Sequence, residues 1–379
     1  MTDAAAEISP HSWEYRLVAA VVYAVEQRVR GGGGGPRTRW NGRVLKEIDP
    51  ENVGSAHGDG SISVSVEQVL DRLREARDLD RPLTDDEAWL LRDAMDTLTH
   101  EAAHLMARLR DMSAPEAYPY DAAAGAYDEG RTEHWTKRNL DKIIIDVFAD
   151  AGLEKVEAAV LAQPGVDAYA AFTPAVRDLD KAVADRSGLT SDEVTQKLMG
   201  ADDSQRWNVA VDLMIDERLV ETGLMPEAHR ADVRRQLVVP LRESLHGLAA
   251  VEADDSLGSD QKAEKGRQAA QNAIAGLDQA LNRIERKYRI DKAQRAQQEA
   301  QRPGSRLNQA ARQARGNLPP DLKRLRALTA PQAPAGGATK RPVGAADHAP
   351  SEQGEAPRGQ QTTRSQPGGP RQPHSPHRD

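Results

Sequence analysis

Apolar residues in this chain recur mainly at three- and four-residue spacing, the period of an amphipathic helix. The most regular stretch starts at Thr84-Asp85-Asp86-Glu87, a capping box in which the threonine hydroxyl and the glutamate carboxylate satisfy free N–H groups of a first helical turn. Ala88, Leu91, Met95, Leu98, Ala102, Leu105 and Leu109 follow as one apolar stripe. An earlier amphipathic helix is expected over about residues 11–30, then a flexible break at Gly31 to Gly35 and a short strand over Trp40 to Leu45. Ser61 to Val66 alternates polar and apolar after a Gly-Asp-Gly turn, the clearest strand pattern present. A linker from Ser113 to Ala126 leads to a helix ending near Ala149, with Ile143, Ile144, Val147 and Phe148 buried. Thr173-Pro174 opens another helix and Thr190-Ser191-Asp192-Glu193 caps the next. Helices near 204–221 and 226–252 complete an α-rich half, with Trp207, Val211, Met214 and Leu219 as core. Over 259–301, Ala270, Ile274, Leu277, Leu281, Ile284 and Tyr288 take heptad-like spacing, so this helix either packs on the body or self-associates.

The stripe's helix carries Thr99-His100-Glu101-Ala102-Ala103-His104 on nearly its opposite side. Residues four apart stand almost above one another at ~3.6 residues per turn, so the imidazoles of His100 and His104 can converge on one Zn²⁺. Glu101 is rotated by roughly 100° from His100. Its carboxylate therefore lies beside such a metal and can take a proton from a metal-activated water. The competing interpretation is two solvated histidines on a polar helix face. Catalytic zinc takes three protein ligands and leaves one position open. Tyr127-Asp128-Glu129-Gly130-Arg131-Thr132-Glu133 offers two carboxylates on one helical face. If Glu129 reaches the metal, Glu133 lies one turn on, where it can accept the outer ring N–H of His100 and so fix that ring's tautomer. The reverse arrangement, Glu133 on the metal and Glu129 outside, stays open.

HExxH followed by Glu-Gly-x-x-Glu resembles the gluzincin metallopeptidases over roughly residues 84–148. The resemblance implies a zincin-like domain whose small edge sheet lines the cleft and pairs with an extended peptide. Asp128 stands where such enzymes usually carry Asn, and no Gly-x-Met-Glu-Asn segment is present to imply exopeptidase specificity. A metzincin pattern is excluded, because its Gly and third His positions hold Ala107 and Arg110. Tyr118, Tyr120, Tyr127, His134 and Tyr169 are the available oxyanion donors, and the pattern selects none of them.

Composition narrows the rest. The 379 residues include no cysteine, so any zinc must be held by His and carboxylate. Aromatics are 4% of the chain, which favours small-residue helix packing. The apolar run Leu17 to Val25 is too short to span a bilayer and has no basic lead-in, so a cytoplasmic protein without membrane contact is expected. Residues 301–379 carry 13 Lys/Arg and 5 Asp/Glu, a net of +8, and the whole chain is −8, so residues 1–300 carry −16. From Pro303 onward twelve prolines, nine glycines and no aromatic side chain describe a disordered tail, poorly suited to base stacking and hence to nucleic acid.

The expectation is an α+β, predominantly α-helical chain. It comprises a zincin-like domain over 1–252, a long helix or coiled-coil-like segment over 253–302, and a basic Pro/Gly/Gln-rich tail over 303–379. The expected activity is zinc-dependent hydrolysis of a peptide or protein substrate, with His100, His104 and Glu129 as ligands, Glu133 behind them and Glu101 as general base. The alternatives are a catalytically inactive zincin-like scaffold and a nucleic-acid-associated protein acting through its tail.

Overall fold

The computed structural model describes residues 6–30, 38–107, 113–114, 116–165 and 168–302. The basic tail from Pro303, the Gly31 to Gly35 break and Leu109 of the apolar stripe lie outside the described residues. Helices dominate. α1 (Trp13–Arg30) is followed by three short strands, β1 (Val44–Lys46), β2 (Gly54–Ala56) and β3 (Ile62–Val64), and then by α2 (Arg72–Asp78). α3 (Asp85–His104) carries the histidines and α4 (Ala122–Ala151) carries the two carboxylates. α5 (Glu154–Leu161), α6 (Phe172–Ser187), α7 (Ser191–Met199), α8 (Arg206–Ile215), α9 (Arg230–Leu245), α10 (Leu248–Glu252) and α11 (Ser259–Gln301) complete the chain. No helix among the described residues is long and apolar enough to cross a membrane.

Both expected capping boxes form. Thr84 and Glu87 exchange side-chain and backbone bonds at the start of α3, and Thr190 and Glu193 do the same at α7. The boundaries move elsewhere. α4 begins at Ala122, inside the expected linker, because the Asp121 carboxylate caps the Ala124 N–H at 3.0 Å. The expected 226–252 helix divides at Gly247 into α9 and α10, after a 3-10 turn over Glu227–His229. α5 has no counterpart in the expected elements.

The sheet is mixed, in the order β1-β3-β2, with β1 parallel and β2 antiparallel to β3. The first strand falls at Val44–Lys46, later than Trp40 to Leu45. The Ser61 to Val66 alternation does not mark a solvent-facing side, since Ile62, Ser63 and Val64 are all buried. Glu47 covers the polar position, accepting the Ser63 hydroxyl at 2.6 Å. β1 is shielded by Ala6 and Ile8, which bond to Lys46 and Val44, whereas the outer edge of β2 meets α3, where the Ala56 N–H donates to Glu101.

Two apolar cores flank the centre of α4. The first gathers α1, the sheet, α2, the α3 stripe and α5 around Leu140, Ile143, Ile144, Val147 and Phe148 of the far half of α4. The second gathers α6 through α11 around Ala123, Ala126 and Tyr127 of its near half. Trp207, Val211, Met214 and Leu219 are core residues there. So are Ala270, Leu277, Leu281, Ile284 and Tyr288 of α11, whose heptad-like face packs on the chain's own body. Between its two apolar halves α4 buries a polar stretch from Asp128 to Glu133, directly against α3.

Candidate metal centre

The polar side of α3 is not a solvated face. His100 is wholly buried and His104 nearly so, as are Asp96 and Thr99 on the same helix. Burying that many polar groups is unfavourable unless they find partners; α4 supplies them to both histidines and to Asp96, whereas the Thr99 hydroxyl makes no hydrogen bond among the described residues. His100 Nε2, His104 Nε2 and Glu129 Oε2 form a nearly equilateral triangle: 3.1 Å between the nitrogens, 3.2 Å from His100 to Glu129, and 3.3 Å from His104 to Glu129. A tetrahedral ion bound at ~2.0–2.1 Å separates its ligand atoms by about 3.3 Å, so the triangle has the size of one face of a zinc site. Among the described residues this is the one His, Asp and Glu group placed to hold a metal ion.

The outer atoms strengthen this fit. His100 Nδ1 lies 3.0 Å from Glu133 Oε2 and donates to it, which leaves the Nε2 lone pair aimed at the triangle. Glu133 is itself wholly buried, and its other oxygen accepts Lys137 Nζ at 3.1 Å and the Ala168 N–H at 3.3 Å. Lys137 also reaches Asp96 at 3.0 Å. His104 Nδ1 faces Asp128 Oδ2 at 3.6 Å and the Thr132 hydroxyl at 3.4 Å. Asp128 in turn pairs with the buried Arg206 of α8 and accepts the Tyr120 hydroxyl at 3.2 Å. Asp128, which as a sequence position only marks a departure from the asparagine usual in gluzincins, thus faces His104 at ion-pair distance, without the hydrogen bond that Glu133 makes to His100. Arg206 and Lys137 have no signal in the motif, because each reaches the site from outside it.

Without a metal the cluster holds protons. Burial opposes the charged imidazole of His100, but the Glu129 and Glu133 carboxylates outweigh it and push that group up to about 10. His104 is raised against the same burial by Glu129 and Asp128. Burial would raise Glu129, yet the two imidazoles hold it well below the usual carboxylate range. The site therefore prefers positive charge at its centre, supplied by protons or by a cation.

Glu101 is partly buried and turns toward the sheet. Its Oε2 accepts the Ala56 N–H of the β2 edge at 2.8 Å. Gly54 lets the strand approach, since a Cβ there would lie 3.0 Å from Thr97 and 3.2 Å from Glu101. The oxyanion candidates separate clearly. Tyr127 is core, stacked on Trp207 at 4.1 Å with Arg131 over its other neighbourhood at 3.8 Å. Tyr118 lies under Arg242, and burial, with the Arg138, Arg131 and Arg177 charges and against Asp180, lowers the His134 imidazole. Tyr120 is tied to Asp128, and burial beside Asp128 and Glu129 raises its hydroxyl so that it stays a donor. Tyr169 lies flat against His100, with centroids 5.4 Å apart and planes 20° apart.

Gly130, the glycine of the Glu-Gly pair, has a packing reason. A Cβ at that point would meet the Phe172 carbonyl oxygen at 2.7 Å and Val176 at 2.8 Å, so only glycine lets α6 cross α4 this closely beside Glu129. No family model, curated protein or solved structure matches the chain, so the side-chain geometry of this centre is what its function must be read from.

Proposed function

We propose that the chain is a zinc-dependent peptidase of gluzincin type, with His100, His104 and Glu129 as the ligands. The observation that carries the reading is the triangle of three acceptor atoms, 3.1–3.3 Å on edge, with a carboxylate behind each histidine. Bound there, zinc would act as a Lewis acid on a carbonyl and bring the acidity of water toward neutrality. Glu133 holds His100 in the tautomer that presents Nε2, and at His104 the Thr132 hydroxyl and the Asp128 charge face Nδ1. Glu101 takes the proton of the attacking water and delivers it to the leaving amine, which balances the hydrolysis of one amide bond. The β2 edge supports a peptide substrate. Its inward bonds are made at Val53 and His57, so Gly54 and Ala56 turn their backbone groups away from β3; the Ala56 N–H is given to Glu101, so an extended chain would pair through the Ala56 carbonyl and Gly54 or displace that bond.

A metal-binding protein without turnover is the second reading. It is favoured by the Ala56 N–H bond, which occupies one oxygen of the carboxylate that would act as base. Elemental analysis and peptide-library cleavage separate the two. The peptidase reading expects about one zinc per chain, loss of zinc in His104→Ala, and a Glu101→Gln variant that keeps zinc but loses hydrolysis. Hydrolysis surviving in Glu101→Gln rules out the general base. A wild type that carries zinc and cleaves nothing leaves the second reading standing.

A further inference from the structure

The chain enters α6 immediately behind His100, and that entry is held from several sides. The Ala171 N–H donates to the Glu252 carboxylate of α10 at 2.7 Å. α11 crosses at Gly266, where a Cβ would lie 2.0 Å from the Ala171 carbonyl oxygen. α4 crosses at Gly130, with its equivalent approach to the Phe172 carbonyl. Residues 171 and 172 are thus gripped between two helix backbones, each closing on them where a side chain is missing. From this fixed point two contacts reach the metal centre. The Ala168 N–H donates to Glu133, and the Tyr169 ring stacks both on His100 and on Phe172, the latter 5.7 Å away and 14° from parallel.

We infer that Tyr169 is a positioning residue for the metal ligand His100, and that the grip of Gly130, Gly266 and Glu252 transmits the placement of α10 and α11 to the metal centre. The inference rests on the reading of the His100, His104 and Glu129 triangle as a metal site. The Glu133 bond at Nδ1 and the triangle at Nε2 fix the two nitrogens of the imidazole and leave the ring plane free to tilt about the line between them. A flat aromatic face against the ring removes the tilt, keeps water from the Nδ1 bond, and favours the partial positive charge a metal-ligated imidazole carries. The stack needs the ring and not the hydroxyl, which separates this role from that of an oxyanion donor.

The test compares the full-length chain with Tyr169→Phe, Tyr169→Leu and Gly266→Ala, each checked for native helicity. Zinc affinity is read by competition with a chromophoric chelator, and site geometry by the visible absorption of Co²⁺ in place of zinc. Tyr169→Phe should match wild type in both. Tyr169→Leu should bind zinc about tenfold more weakly, the lower end for loss of a partner that orients a ligand, with displaced cobalt bands. Gly266→Ala should shift in the same direction although it touches no ligand. Wild-type affinity and spectrum in folded Tyr169→Leu would overturn the inference, as would a Tyr169→Phe as defective as Tyr169→Leu. If the wild type itself takes up neither ion, the metal reading fails and carries this inference with it.

Discussion

Glu133→Gln is a near-isosteric change, yet its consequences are sharply defined by what surrounds the carboxylate. One oxygen accepts from His100 Nδ1 at 3.0 Å; the other accepts from Lys137 Nζ at 3.1 Å and from the Ala168 N–H at 3.3 Å. Every neighbour donates, and a carboxamide brings only one acceptor. If the amide oxygen faces His100, the NH₂ points at an ammonium and a backbone N–H in a site with no exposure. If the oxygen serves Lys137 and Ala168, the NH₂ donates to Nδ1 and forces the ring proton onto Nε2, inside the triangle. The second orientation keeps two bonds and is expected to prevail. The cost then falls on metal binding, as the loss of a hydrogen bond to a charged group, about 1.5–3 kcal/mol. At 1.4 kcal/mol per factor of ten this weakens zinc binding by roughly ten- to a hundredfold. Chelator competition at pH 7 on protein with wild-type circular dichroism measures it. A zinc affinity within twofold of wild type would refute the tautomer argument.

Two more predictions come from the same region. Gly130→Ala, which in an exposed helix would gain up to about 1 kcal/mol, should here destabilise the chain. Its methyl meets two backbone atoms and one side-chain atom within 2.8 Å, and overpacking of that kind costs about 1–3 kcal/mol. A urea midpoint raised above wild type would show that α6 yields without cost. Zinc uptake should release protons, because His100 and His104 are both raised in the metal-free state. Apparent affinity should therefore climb as pH rises from about 6.5 toward 10. The metal-free fold, by contrast, holds the stabilisation from His100 below pH ~6.5 and loses it as pH passes through about 10. Calorimetry in two buffers of different ionisation enthalpy counts the protons, and a buffer-independent enthalpy at pH 7 would contradict the charged cluster.

Local order was written in the chain itself. The boxes at Thr84 and Thr190, the four-residue spacing of His100 with His104 and of Glu129 with Glu133, and the apolar faces of α3 and α11 all follow from helix period and capping chemistry, which neighbouring residues settle among themselves. Tertiary packing decided the rest. The spacing favoured Glu129 as the ligand with Glu133 behind His100 but left the reverse open, and the position of α4 against α3 put Glu129 in the triangle and Glu133 on the outer nitrogen. The same packing turned a face that looks solvated into a buried one, brought Asp128 and Tyr169 to the imidazoles, and set Arg206 against Asp128. Short strands shifted for a related reason, since three-residue ladders are placed by Glu47 and their pairing partners rather than by their own alternation. Periodicity states which residues share a face. What that face meets depends on how closely helix backbones can approach, and here on two glycines far apart in sequence, Gly130 and Gly266, where a missing side chain lets the elements close.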